Sequence, residues 1–203
     1  HRLVGSTKLN TVNAGETITL GCMSVEFIRV NHSIPDAVGL AIRTPAGTIV
    51  HTGDFKIDCT PSRGEMIDLA RFAEIGKEGV LAFMADSTNA ERPGYTMTER
   101  KIDQSFERLF QKAGDKRIII ATFASNIGRL QQIINCAAKY GKKVAFSGRS
   151  MINNVAIAQQ MKYIEAPDGL IIDIDLITKY AKNEVVLITT GSQGEPMSAL
   201  HRM

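Results

Sequence analysis

RIIIATFASNIGRLQQIINCAAKYGKKVAFSGRSM, Arg117–Met151, is the stretch that decides the fold. Its first seven residues, RIIIATF (Arg117–Phe123), form an aliphatic, β-branched run and predict a buried strand. Asn126–Tyr140 reads as a helix closed by Gly141, where a glycine tolerates the left-handed backbone that ends helices. KVAFS (Lys143–Ser147) is a second strand, and Met151–Tyr163 a second helix. Downstream, Asp173–Ala181 predicts a short helix and EVVLITT (Glu184–Thr190) a further strand. Upstream, Thr96 with Glu99 three residues later makes a capping-box pattern. Ile102, Phe106, Leu109 and Phe110 follow at helical spacing, and Gly114 ends that helix. Strands alternating with helices predict a parallel α/β layer.

The first half has another rhythm. TITL (Thr17–Leu20) and VEFIRV (Val25–Val30) are short strand-like runs beside Gly15 and Gly21. AVGLAIRT (Ala37–Thr44) and TIVHT (Thr48–Thr52) flank Pro45-Ala46-Gly47, a hairpin signal. Met66–Ile75 carries Met66, Leu69, Ala70 and Ala73 at helical spacing, and GVLAFMAD (Gly79–Asp86) predicts a buried strand ending in an acid. The change of style near residue 90 divides the chain into a β-rich half and an alternating half.

Composition limits the function classes. The 203 residues are 44% hydrophobic and 22% charged, within the range of a globular protein with a sizeable core. Aromatics are 6% and Trp is absent, so that core is mostly aliphatic. No apolar run reaches the ~20 residues that span a bilayer, and no signal-peptide pattern opens the sequence. Cys22, Cys59 and Cys136 are odd in number and far apart, which excludes a disulfide framework and a CxxC zinc knuckle and suits a reducing cytoplasm. Net charge is −2 over residues 1–90 and +5 over residues 91–203, a second half compatible with a polyanionic partner.

Six strands end in small polar or ionisable residues: NHSIPDA (Asn31–Ala37), HTGDFK (His51–Lys56), DSTNAERPG (Asp86–Gly94), FASN (Phe123–Asn126), SGRSM (Ser147–Met151) and GSQGEP (Gly191–Pro196). Carboxyl ends of strands are where open α/β sheets hold ligands, so six such ends suggest a shared rim. His32 and Asp54 at neighbouring ends supply nitrogen and oxygen donors suited to zinc or manganese. Taken singly, each also suits an ordinary loop: a hydrogen-bonded histidine, a Gly-Asp turn. Asp86 is equally well read as a cap or turn acid. Ser147-Gly148-Arg149-Ser150 opens a helix, where free N–H groups and a guanidinium can hold a phosphate, although a helix start needs only the serine. GSQGEP lacks the Lys-Ser/Thr of a Walker loop.

The strings FIRVNHSIPDAVGLAIRTPAGTIVHTGDFK, FMADSTNAERPGYT, ATFASN, SGRSM and TTGSQGEPMSAL together resemble bacterial ribonuclease J, of the metallo-β-lactamase fold with a β-CASP domain, over nearly the whole chain. The resemblance implies an α/β fold: an α+β sandwich portion of the β-lactamase core over residues 1–90, followed by part of an α/β β-CASP domain over 91–203. It implies a zinc-dependent ribonuclease, a 5′-to-3′ exonuclease and endonuclease acting in RNA decay and processing in the cytoplasm, with two zincs per active site. His32 matches a histidine ligand of the first zinc, Asp54 the aspartate that bridges both, and Asp86 the acid near the active centre. Ser125, Asn126, Ser147, Gly148, Arg149, Ser150, Ser192 and Gln193 fall in loops facing the RNA path.

The family's first metal motif, HxHxDH, is missing: the histidines are His1, His32, His51 and His201, none at that spacing. The sequence therefore reads as an internal segment of a ribonuclease J, expected to bind zinc weakly and to be inactive alone. Removing part of a sandwich exposes apolar faces and strand edges, so the expectation is either self-association into a homo-oligomer or good folding in the β-CASP half alone. Two other readings are a non-catalytic RNA-binding scaffold and a small-molecule metallohydrolase of the same fold; the β-CASP-like half speaks against the latter.

Overall fold

The computed structural model describes residues 8–61 and 64–202. These fall into two compact units, one from most of the residues up to Thr96 and one from Met97 onward. The architecture is mixed α/β, with two sheets and four α-helices among the described residues. No described helix is long and apolar enough to cross a membrane.

In the first unit, β1 (Thr17–Leu20), β2 (Met23–Arg29), β3 (Val38–Thr44), β4 (Gly47–His51) and β5 (Ala82–Met84) form one sheet in that order. The first four are antiparallel neighbours and β5 joins β4 in parallel. The Pro-Ala turn closes the β3–β4 hairpin as its sequence predicts, Thr44 pairing with Gly47. Helix α1 (Leu69–Glu78) packs Phe72 and Ile75 over Ile28, Ala41 and Val50. Its start is capped by Asp68, which accepts from the Arg71 N–H at 2.9 Å.

Two expectations fail here. The helix buries Ile75 and half-buries Phe72, whereas Met66 and Leu69 stay exposed; the helix begins only at Leu69, so Met66 is outside its turn. The strand predicted over Gly79–Asp86 shrinks to three residues and is exposed, with Phe83 at 64%. The cause is its place: it sits at the sheet edge beside β4 and has no second neighbour among the described strands.

One charge enters this core. Glu26, only 8% exposed on β2, accepts from Arg71 Nε at 2.6 Å, Arg71 Nη2 at 3.0 Å and Arg43 Nη1 at 2.8 Å. The Arg71 hydrogen bonds hold its carboxyl below the usual glutamate range, against the opposing effect of burial. A carboxylate whose folded pKa is depressed stabilises above its unfolded pKa and loses that contribution as pH falls through the folded one. The first unit is therefore expected to weaken on acidification from the ordinary glutamate range downward. Glu26→Ala should cost about 1–3 kcal/mol near neutrality and flatten that acid limb, measured by denaturant titrations at several pH values.

The second unit is a parallel sheet in the order β6 (Ile118–Ala121), β9 (Val185–Thr189), β7 (Lys143–Ser147), β8 (Ile171–Ile172). Helices α2 (Glu99–Ala113), α3 (Ile127–Lys139) and α4 (Arg149–Gln160) all contribute to the core on one face, against Val144, Phe146, Val186 and Ile188. The alternate residues Ala145, Val185 and Leu187 face Ile174, Ile177 and Tyr180. Strand β9 is thus apolar on both faces and buried along its length, as a central parallel strand must be.

Three details depart from the sequence reading. Thr98, not Thr96, precedes α2, and its side chain makes no cap; α2 starts at Glu99, whose carboxylate instead accepts from Arg129 Nη2 at 2.9 Å. The run Arg117–Phe123 is half-buried rather than buried, Ile119 being 50% exposed, because β6 is an edge strand. The helix expected over Asp173–Ala181 is a 3₁₀ segment, Ile174–Lys179, started by Asp173 accepting from the Asp175 N–H.

Candidate active site

In the first unit β2, β4 and β5 run in one direction, so their carboxyl ends share an edge. That edge gathers His32, Asp54 and Asp86 onto adjoining loops. His32 Nε2 and Asp54 Oδ2 lie 3.7 Å apart, the histidine side chain 29% and the carboxylate 77% exposed. A nitrogen and an anionic oxygen so placed, both open to solvent, can serve one cation between them.

The local backbone explains the placement. Gly53 adopts φ +61°, and a Cβ there would lie 2.8 Å from the Val38 carbonyl oxygen, so only glycine lets the chain turn outward before Asp54. The Gly53 N–H donates to His51 Nδ1 at 3.0 Å, which gives His51 a turn-closing role. Lys56 N–H donates to the Asn31 carbonyl at 2.7 Å and ties the Asp54 loop to the His32 loop. The Asn31 side chain donates to Glu65 O and accepts from the Ile67 N–H at 2.9 Å, fixing the segment before α1.

Asp86 is held from two sides. Its N–H donates to Thr52 Oγ1 at 3.0 Å, and its Oδ1 accepts from the Thr88 N–H at 2.9 Å. Hydrogen bonds from Thr88 pull its carboxyl below the usual aspartate range, with smaller contributions from the Phe55 backbone and the His32 charge. The turn role weighed for Asp86 is therefore real, and it leaves an ionised carboxylate on the same edge as the pair. The local sequence carries no mark of the tethering roles of Thr52 and Asn31, whereas the Gly-Asp turn does mark Gly53.

Among the described residues no group of three or more His, Cys, Asp and Glu side chains is arranged to hold a metal ion. Structural zinc takes four protein ligands and catalytic zinc about three. The chemistry of His32 and Asp54 fits a divalent cation, but they amount to two donors of a larger set.

The second unit has its own edge of strand ends. Gly148, at φ +104°, starts α4 without a side-chain cap, and Arg149 and Ser150 follow exposed. They share an open cavity of about 660 Å³ with Asn153, Thr190, Met197 and Arg202. Uncapped N–H groups of a 12-residue helix and two guanidiniums make that cavity suited to an anion. Gly191 is required by contact: a Cβ would lie 2.7 Å from Ser198 Oγ and 2.8 Å from Leu200 Cβ. It places Ser192 and Gln193 on an exposed turn, where the Gln193 N–H donates to Glu195 Oε2 at 3.2 Å. Asn126 caps α3, its Oδ1 accepting from the Arg129 N–H at 3.0 Å, and Ser125 lies in the turn before it. Arg202 reaches this cavity from the far end of the chain, and nothing in the local sequence marks it.

Residues 115–203 match the family described as "Ribonuclease J, beta-CASP domain". Over 197 residues, 97% of the chain, it is 45% identical to ribonuclease J2 of Bacillus subtilis, covering 35% of that protein. It is 47% identical over 196 residues to ribonuclease J of Corynebacterium glutamicum, covering 97% of the chain and 27% of the relative. It is 44% identical over 200 residues to ribonuclease J of Thermus thermophilus, covering 98% and 35%. The chain thus spans about a third of the length of these curated relatives. A solved protein of unknown function from Enterococcus faecalis superposes with a TM-score of 0.65 at 19% identity, over 93% of this chain and 46% of that one, a likeness of fold.

Proposed function

On the premise that this chain is similar to ribonuclease J along 97% of its length and carries the match to that family's β-CASP domain over residues 115–203, we propose that the intact protein is a metal-dependent ribonuclease. Its substrate is RNA, cleaved as a 5′-to-3′ exonuclease and as an endonuclease during decay and processing in the cytoplasm. The observation that carries the reading is the approach of His32 Nε2 to Asp54 Oδ2, 3.7 Å, at a shared edge of strand ends. In this reading residues 1–90 are part of the β-lactamase core and 91–203 part of the β-CASP domain.

His32 and Asp54 hold zinc in company with donors from elsewhere in the intact protein. Bound zinc supplies Lewis acidity toward the phosphodiester and lowers the pKa of water. The chain's own residues do the rest. Gly53 and the Asn31–Lys56 link keep the two donors in register. Asp86, kept ionised by Thr88, acts as the catalytic carboxylate that orients the reacting groups. Ser125, Asn126, Ser147, Gly148, Arg149, Ser150, Ser192 and Gln193 bind RNA, the Arg149 guanidinium and the α4 N–H groups taking a backbone phosphate.

Arg149→Ala in the intact protein is expected to weaken RNA binding and to lower the slope of log affinity against log salt by about 0.7, the value of one phosphate contact on a single strand. Filter binding or anisotropy over a salt series measures it. An unaltered slope assigns Arg149 to the helix start alone.

A second reading, a chain that binds RNA without cleaving it, is favoured for these 203 residues alone by the two-donor metal site. Zinc stoichiometry and RNA cleavage by the isolated chain separate the two readings. Solution mass tests the proposed self-association.

A further inference from the structure

We propose that the amino ends of the second unit's sheet form a second contact surface for the RNA backbone, on the edge opposite Arg149. This rests on RNA being the substrate, as proposed above. The strand register sets the geometry. Ile118, Val186 and Val144 lie in one row across β6, β9 and β7, so Arg117, Val185 and Lys143 make the row that precedes it. Neighbouring strands are about 4.8 Å apart, which puts Arg117 and Lys143 about 10 Å apart along this edge.

Lys116 enters from the turn before β6, Lys142 from the turn before β7, and Lys182 from the turn before β9. Four lysines and the half-buried Arg117, whose Nε is buried, therefore come to one edge, beside Asp115, Asp168 and Glu184. Two of those acids are engaged locally: Asp115 accepts from Asn183 Nδ2 at 3.4 Å, and Glu184 from the Ala181 N–H at 2.7 Å. The cations divide by role. Lys142 Nζ donates to Asn183 O and Lys143 Nζ to Gly169 O, so both ammonium groups are fixed in place by the turns of the edge itself. Lys116 and Lys182 are exposed and, among the described residues, stand in no ion pair. Lys112 and Lys139, in the last turns of α2 and α3, complement helix dipoles, and Lys139 also pairs with Glu107 at 2.8 Å. That accounts for those two lysines without a ligand, and it does not account for Lys116 and Lys182.

An edge where Lys116 and Lys182 are exposed and two of the three nearby acids are engaged locally fits a polyanion held by its charge, with no reading of bases. A strand held at this edge and at Arg149 must cross the depth of the sheet, so the edge serves long RNA and leaves short RNA unaffected.

The test uses the intact protein with Lys116→Ala and Lys182→Ala combined, beside Lys116→Arg with Lys182→Arg. For RNA of several tens of nucleotides, the alanine variant is expected to show a salt slope shallower by about 1.4 and affinity reduced several-fold, while the arginine variant matches wild type. Cleavage of oligonucleotides a few residues long is expected to be unchanged in both. An unaltered slope with long RNA overturns the proposal, whether the edge then meets a protein or only solvent. Equal loss on short and long RNA overturns it too, because the edge would then act through the fold. If the wild-type protein binds RNA but cleaves none, the proposed function fails while the slope comparison still decides this surface.

Discussion

Asp54→Ala in the intact protein is expected to lower RNA hydrolysis by on the order of 10³-fold or more. The argument starts from exposure. The Asp54 carboxylate is 77% open and meets His32 at 3.7 Å, so its loss is expected to cost the fold little. Its removal leaves Gly53 and the loop intact and takes away one of only two cation donors the described residues bring together. Metal chemistry of this kind is worth several kcal/mol of barrier, and each 1.4 kcal/mol is tenfold in rate. Turnover on labelled RNA, bound zinc and thermal stability should be measured together. Lost activity with lower zinc and an unchanged melting temperature supports the assignment. Wild-type turnover with unchanged zinc removes Asp54 from the site. His32→Ala is expected to behave the same way, since its imidazole is the other half of the pair.

Ile188→Ala is expected to destabilise the second unit by about 2–5 kcal/mol, the cost of a cavity left by a fully buried aliphatic side chain. Ile188 is 0% exposed in the middle of β9, between β6 and β7, and belongs to the core beneath α2, α3 and α4. No neighbour can collapse into the space without moving a strand that is paired on both sides. Ile119→Ala, on the neighbouring edge strand at 50% exposure, is the comparison and should cost less than half as much. Chemical denaturation followed by a probe in residues 97–202 reads both. Equal costs would mean that β9 is not the centre of the sheet in solution.

That pair of isoleucines shows where the sequence is legible and where it is not. Ile119 and Ile188 stand in runs of the same character, IIIA and VVLIT, and both runs read as strands, the first of them as a buried one. Local pattern reports that a segment is extended and apolar, but carries no information about how many neighbours it acquires. The order β6-β9-β7-β8 places the last long strand in the centre, and that order follows from which crossovers pack their helices. Gly79–Asp86 fails for the same reason: its apolar residues predict burial, and its place beside β4 leaves them open. Glu26 is the converse, a charge whose burial on its strand rests on Arg43 and Arg71, 17 and 45 residues away, arriving over it.

By itself the sequence determined the mixed α/β class, the hairpin at Pro45-Ala46, the helices ending at Gly114 and Gly141 and the resemblance to ribonuclease J, because each depends on residues within a few positions of one another or on the strings themselves. It also named His32, Asp54, Asp86 and Arg149 as bearers of chemistry. Only the tertiary structure decided that β2, β4 and β5 run the same way, which is what brings His32 and Asp54, 22 positions apart, within 3.7 Å. It alone set Arg202 beside Arg149 and brought the segments that carry Lys116 and Lys182 to the same end of the second sheet. The physical reason is common to all of these: strand pairing acts between segments distant in sequence, and a side chain's neighbours are fixed by that pairing and by the packing it permits.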